Sequence, residues 1–379
     1  MTSRPLRALI LGPLGPPFGG PEVMTQTLID ALAARGEIDF VHLNTQVSRS
    51  LAEKGGRHQL RKSLRAAWQC ARLLVLLIRL RPDVAYLALT NSPSFLGFLR
   101  DAGMITLVRM TGCRVAVRLC GGYYYYSHTR GWKRKLVAAV LRRVDLALVQ
   151  GSRLVTTFGG LIAAERIAVI PNGTNDRPFA AARSRAEKNG SAPQILFVGL
   201  LCAEKGFHDV LAAIPDVPDA NFVFMGEWAS DGDRDAAMDR LASDGTASRV
   251  RFAGVVAGDP KYDIFVASDA LVFPSYFVYE GHAVSTVEAL AAGLPIVCTD
   301  HGALDESVRD GWNGFFVPPR DAAAIAEALT KLIGDESLRL EMGRRSRELY
   351  ERRFTADRFI DAWSRAIVGV VGPRAGEGS

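Results

Sequence analysis

Short β-rich runs separated by longer helical patterns recur along this chain, and that rhythm leaves few architectures open. RALILG, DVAYLAL, VAVRLC, LALVQ and IAVI follow one another in the first half, with a helical pattern from about Pro21 to Ala34 after the first of them. Strands alternating with helices in this way build a parallel sheet with crossover helices. The pattern restarts after Ala181 to Pro193, AARSRAEKNGSAP, a polar, small-residue stretch that reads as a linker. ILFVG, NFVFMG, VRFAG, ALVFP, PIVCT and GFFVP then supply a second set. The prediction is an α/β chain of two Rossmann-like domains facing across a cleft, over residues 1–178 and 179–354, with the cleft as the natural ligand site. A length of 379 residues is too great for one ordinary core and agrees with two.

A balance of 48% hydrophobic and 23% charged residues excludes a mainly disordered chain. The longest aliphatic run, Leu73 to Ile78, is enclosed by Arg72 and Arg79 and falls far short of the ~20 apolar residues that span a bilayer. The opening MTSRPLRALILG has no secretory h-region or cleavage site, so a cytoplasmic location is expected. Cys70, Cys113, Cys120, Cys202 and Cys298 form no C-x-x-C pair, which predicts neither a disulfide framework nor a zinc site.

Charge is unevenly spread. Residues 1–180 carry 25 Lys+Arg against 10 Asp+Glu, or +15, whereas residues 181–379 carry 21 against 30, or −9. Arg57, Arg61, Arg65 and Arg72 recur near a helical period beside Leu60, Leu64 and Trp68, and Lys133, Arg134, Lys135, Arg142 and Arg143 form a second cluster. A basic amphipathic helix of this kind suits an anionic membrane surface; a solvated helix face is the plainer alternative. Nucleic acid is not expected as a partner, because no zinc-finger spacing, helix-turn-helix signature or RNP-like motif accompanies the charge.

Three segments carry chemistry. Gly12 to Gly20, GPLGPPFGG, joins the first strand to a helix opening with Pro21 and Glu22, and such a glycine loop aims free N–H groups at a ligand. It lacks the G-x-G-x-x-G fingerprint, so a bound dinucleotide does not follow. FVGLLCAEKGF, Phe197 to Phe207, is again strand, loop and helix, with Lys205 placed where a diphosphate could meet an ammonium beside a helix start. FPSYFVYEGHAVSTVEALAAGLPIV, Phe273 to Val297, carries Glu280 in an irregular segment and a helix expected from about Ser285 to Ala292. Ser285 and Glu288 also fit a capping box, in which the glutamate merely bonds the cap amide.

Together these segments resemble a family 4 glycosyltransferase of GT-B architecture, a group of retaining, nucleotide-sugar-dependent enzymes, and the likeness covers nearly the whole chain. It implies that Gly19, Gly20 and Glu22, within Phe18 to Glu22, face the acceptor and the donor diphosphate, and that Lys205 and Gly206 bind donor phosphate. It implies that Glu280 and Glu288, in the EGH variant EGHAVSTVE, frame the donor sugar and ribose. Val255 of RFAGVV would border the nucleobase, and Cys120, Gly121 and Tyr123 would lie on the acceptor side. A C-terminal helix, about 355–371, would cross back to complete the first domain. Two positions depart from the family pattern: Leu200 stands where an arginine usually completes the phosphate clamp, and Cys120 where many members have histidine.

The resemblance further implies catalysis by Glu280 and Lys205, with the amides of Gly281, His282 and Ala283 stabilising the leaving diphosphate in a front-face, retaining transfer without a metal or resident cofactor. A UDP-sugar is preferred to GDP-mannose as donor. The acceptor is expected to be a saccharide or lipid-linked saccharide at the inner face of the cell membrane. A nucleotide-sugar epimerase and an inactive nucleotide-sugar-binding relative are the competing readings, the latter motivated by Leu200 and Cys120.

Overall fold

The computed structural model describes residues 4–16, 19–46, 59–89, 95–121, 129–158, 161–185 and 192–372. It resolves into two compact units, residues 1–172 with 356–379, and residues 173–355.

The first unit is a parallel sheet of order β2-β1-β3-β4-β5-β6, formed by β1 (Arg7–Gly12), β2 (Asp39–Asn44), β3 (Val84–Ala88), β4 (Arg114–Leu119), β5 (Leu146–Val149) and β6 (Ile167–Val169). β1 lies between β2 and β3, with Leu9 opposite Val41 on one side and Ala85 on the other. Its inner strands, β1, β3, β4 and β5, read as nearly unbroken apolar runs because both faces of the sheet are covered there. Helices α2 (Gln59–Leu80), α3 (Phe95–Met110) and α4 (Gly131–Leu141) carry the crossovers from β2 through β5 and pack side by side. Right-handed crossovers put all three on one face. On the other, α1 (Gly20–Arg35) packs against α12 (Ala356–Val371), which also touches β4 and β5. Trp363 of α12 is fully buried with its ring 5.4 Å from that of Tyr86, and Arg35 pairs with Asp357 at 3.0 Å and with Asp361.

The second unit has sheet order β12-β11-β10-β7-β8-β9, from β7 (Gln194–Val198), β8 (Asn221–Met225), β9 (Val250–Gly254), β10 (Ala270–Phe273), β11 (Ile296–Thr299) and β12 (Gly314–Val317). Its helices are α5 (Arg177–Arg185), α6 (Phe207–Ala213), α7 (Asp231–Ser243), α8 (Asp259–Val266), α9 (Val284–Ala292), α10 (Ala322–Gly334) and α11 (Glu336–Arg353). One apolar cluster gathers around Phe197, Phe207 and Phe224, another around Phe265, Leu290 and Tyr350.

Three expectations need correction. β2, DFVHLN, escapes a search for apolar runs because it is a half-exposed edge strand. The supposed linker is helical over its first residues: α5 reaches Arg185, with Phe179 and Ala182 buried and the Phe179 ring 4.9 Å from Tyr262. The two units therefore divide at 172/173, six residues before the boundary read from composition.

Candidate active site

In the second unit the first strand, β7, has β8 on one side and β10 on the other, so the direction of winding reverses between β7 and β10. Ligands of open α/β sheets bind outside the carboxyl ends of the strands at such a reversal. The loops leaving these two strands bring Lys205 and Glu280 together.

Their approach is built by a glycine. After β7 the chain makes a 3₁₀ turn, Ala203–Lys205, and Gly206 adopts the left-handed conformation at φ 75° before α6 begins. A methyl group at Gly206 would lie 2.4 Å from the carbonyl oxygen of Pro274, directly after β10, so only glycine permits this contact. The Tyr276 amide donates to the Glu204 carbonyl at 2.9 Å and binds the loops further. Lys205 Nζ then donates to Glu280 Oε2 at 2.6 Å, with the ammonium 4.8 Å from the centre of the Phe277 ring. Ser275 Oγ donates to the same carboxylate oxygen. Both bonds fall on Oε2, and Glu280 Oε1 has no protein donor among the described residues.

Glu288 has a lysine of its own. Its buried carboxylate accepts from Lys261 of α8 through Oε1. The capping box does not form: the residue capping α9 is Ala283, one position before Val284, and Glu288 lies in the helix interior facing α8. Thus both spaced glutamates are nearly buried carboxylates, each neutralised by a lysine from another element. Lys261 and Ser275 were not recognised from the sequence, because neither stands in the glutamate segment's own spacing.

α9 is held firmly at both ends. Before it, the buried imidazole of His282 bonds Ser307 Oγ at 2.6 Å, and Ser307 Oγ lies 3.0 Å from Thr286 Oγ1, so the side chain of His282 is committed to anchoring the loop. Ala303 N–H donates to the Gly281 carbonyl at 3.3 Å. Ala283 offers no side-chain cap, but its carbonyl accepts from the Thr286 and Val287 amides at 3.2 and 3.4 Å; the amides of Val284 and Ser285 precede the first of these bonds and concentrate positive potential at this end. At the other end Gly293 turns left-handed at φ 79°, while Arg183 and Arg347 donate to the Ala291 carbonyl at 3.0 and 2.9 Å. Val255 is exposed in the loop after β9, and Leu200 is half-buried after β7 with no charge to offer a phosphate.

The first unit arranges the remaining predicted residues at the carboxyl ends of β1 and β4. Gly19 caps α1 with extended backbone, and a methyl there would lie 2.9 Å from Glu22 Oε2. The buried Glu22 carboxylate folds back over the start of α1, where Gln46 Nε2 donates to its Oε1 at 3.0 Å. The helix dipole at Gly19 and Gly20 thus meets the chain's own carboxylate. Cys120 is half-buried after β4, its thiol pushed up by burial, and Gly121 beside it is left-handed at φ 83°. Two positions before it, Arg118 is fully buried, donating from Nη2 to Asn172 Oδ1 at 2.6 Å with its guanidinium 5.1 Å from the Phe359 ring. Phe18, Arg57 and Tyr123 to Tyr126 lie outside the described residues, as does the side chain of Arg61.

The second unit also resembles known proteins over most of its length. Residues 179–349 match the family model described as glycosyl transferases group 1. The lipopolysaccharide core biosynthesis glycosyltransferase LpsE of Rhizobium meliloti is 31% identical over 203 residues, 53% of this chain and 57% of LpsE. The chain thus spans little more than half the length of such a curated relative. Among solved structures, sucrose-phosphate synthase from Thermosynechococcus elongatus superimposes with a TM-score of 0.77 over 96% of this chain and 98% of that one, at 19% identity. Anabaena HepE in complex with UDP-glucose gives 0.72 over 96% and 99%, at 17% identity. At these identities the likeness is one of fold: the chain has GT-B architecture, and most of its second unit matches the glycosyl transferases group 1 model.

Proposed function

We propose that the protein is a retaining glycosyltransferase that moves a sugar from a UDP-linked donor to a saccharide or lipid-linked saccharide on the cytoplasmic side of the membrane. The observation that carries this reading is the Lys205–Glu280 pair at the reversal of the second sheet, with Oε1 of Glu280 open to a hydroxyl donor. An ammonium has three N–H donors, and Glu280 takes one from Lys205, which leaves donors for a diphosphate. As the bond to the anomeric carbon breaks, charge grows on the leaving phosphate. Lys205 and the backbone at Gly281, His282 and Ala283, before the amides of α9, form a preorganised site for it. Glu280 holds the donor sugar through Oε1, and Glu288 takes the ribose hydroxyls. The departing phosphate itself accepts the proton of the incoming hydroxyl, so no protein nucleophile is required.

Two neighbours support the choice of substrates: HepE was solved with UDP-glucose, and LpsE acts in lipopolysaccharide core biosynthesis. Leu200 favours a second reading, a nucleotide-sugar-binding relative without turnover, because half of the family's phosphate clamp is apolar here.

Thermal unfolding with UDP, GDP, ADP and CDP, followed by acceptor-dependent release of nucleoside diphosphate, separates these readings. UDP at about 100 times its dissociation constant adds about 2.7 kcal/mol and raises Tm by several degrees. Lys205→Ala should abolish that shift. Glu280→Gln should keep it and slow release by on the order of a hundredfold or more. A shift without turnover in the wild type selects the binding protein, and no shift with any nucleotide overturns both.

A further inference from the structure

A helix on the outside of a globular domain normally turns polar residues to water. α2 does not. Its inner stripe, with Leu73 and Leu77, is buried in the first unit, yet Leu64, Trp68, Val75 and Ile78 recur at helical spacing on the opposite side with exposures of 63, 57, 45 and 63%. Arg65, Arg72 and Arg79, seven residues apart, form a cationic ridge along one shoulder of this outer stripe. The guanidinium of Arg72 lies 5.2 Å from the centre of the Trp68 ring.

The neighbouring helices continue the surface. α2, α3 and α4 share one face of the sheet, and each is the crossover that follows a parallel strand, so their amino-terminal ends lie toward its carboxyl edge. Leu96 and Leu99 are exposed in the first turns of α3, and Trp132 is 63% exposed in the first turn of α4. The Trp132 ring meets Phe95 of α3 edge-on at 5.8 Å, with Lys133 Nζ 5.1 Å above Phe95. Exposed leucines and tryptophans with cations on their flanks are the composition of an element lying in a bilayer interface, apolar side chains among the acyl chains and cations among the headgroups. Charge decides the occupant, since these helices belong to the half of the chain carrying +15.

We propose that the outer face of α2, with the first turns of α3 and α4, docks on an anionic lipid bilayer. This deepens the glycosyl-transfer reading, on which it rests for its purpose, by making the unit that holds Glu22 and Cys120 the one that meets a lipid-linked acceptor. Flotation of the full chain with phosphatidylcholine vesicles, with and without phosphatidylglycerol, at low and high salt, tests it. The wild type should float with anionic vesicles and release as salt rises. Trp68→Ser with Trp132→Ser should lower partitioning by roughly tenfold or more, at low salt as well. Arg72→Glu, Lys133→Glu and Lys135→Glu together should lower it by on the order of a hundredfold at low salt. All variants should keep the wild-type melting temperature and UDP shift, since the altered side chains are exposed. Absence of the wild type from anionic vesicles, or equal flotation of the tryptophan variant, overturns the proposal. A wild-type dimer that becomes monomeric on Trp68→Ser also overturns it, by showing that a second copy covers the stripe. Flotation intact with no nucleotide shift would defeat the glycosyl-transfer reading and leave the lipid surface standing.

Discussion

Single side chains divide the labour of the candidate site by what each can neutralise. Lys261 and Glu288 show this most plainly, because a buried carboxylate without its cation is costly while a buried neutral pair is not. Lys261→Met should therefore lower stability by about 1–3 kcal/mol, less than a fully buried pair would lose because the lysine is partly exposed. Adding Glu288→Gln should recover most of that loss without recovering nucleotide binding. Chemical denaturation and UDP titration of the two single variants and the double variant check this, and additive losses would show that the pair is not coupled. Lys205 and Glu280 were legible in the sequence, since each stands in a motif after a strand. Lys261 was not, since its role depends on α8 packing beside α9, and Ser285 misled because a capping box is satisfied by spacing alone. Gly19 invited an anion for the same reason: the sequence shows the glycine, and only the folded chain shows the carboxylate of Glu22 leaning over it.

Among elements, α9 is the one on whose position the proposed chemistry depends, and its carboxyl end is secured by arginines that also grip Asp176. Arg347 reaches both oxygens of Asp176, with Nη2 at 2.7 Å from Oδ2, and Arg183 adds a contact of 3.2 Å. The hydrogen bond from Arg347 is the main cause that holds the Asp176 carboxyl below its ordinary range. The stability this adds is present above the unfolded carboxylate range near pH 4 and is lost as pH falls through the lower folded value. Asp176→Asn should lower Tm at pH 7 by about 2–4 °C, the effect of about 1 kcal/mol in a unit of this size. The gap between variant and wild type should close as the medium is acidified toward pH 3, and a gap constant with pH would assign the loss to packing. Strands were the most legible elements, because a parallel sheet covered on both faces writes itself as apolar runs such as ILFVG and ALVFP. β2 and α5 were hidden for the opposite reason: β2 is an edge strand, and α5 offers Phe179 and Ala182 as its buried side chains within a polar stretch.

Across the whole molecule, the path of the chain matters more than any contact. The second unit is one continuous segment, residues 173–355, while the first is assembled from two segments with α12 supplied last. Trp363→Ala should cost the first unit about 3–5 kcal/mol through the cavity left against Tyr86. Calorimetry should show the earlier loss of one transition, with the transition of the second unit unmoved; a common shift of both would mean that they unfold as one body. The same path sets an order of events during synthesis. Domains fold as they leave the ribosome, and the second unit has all its strands once Thr355 has emerged. The first unit, translated earlier, has to wait for Ala356–Val371 before Tyr86 and Arg118 are covered. A chain cut short by even its last helix would therefore display a finished second unit while its first stayed unfinished, and cellular quality control would read it as incomplete.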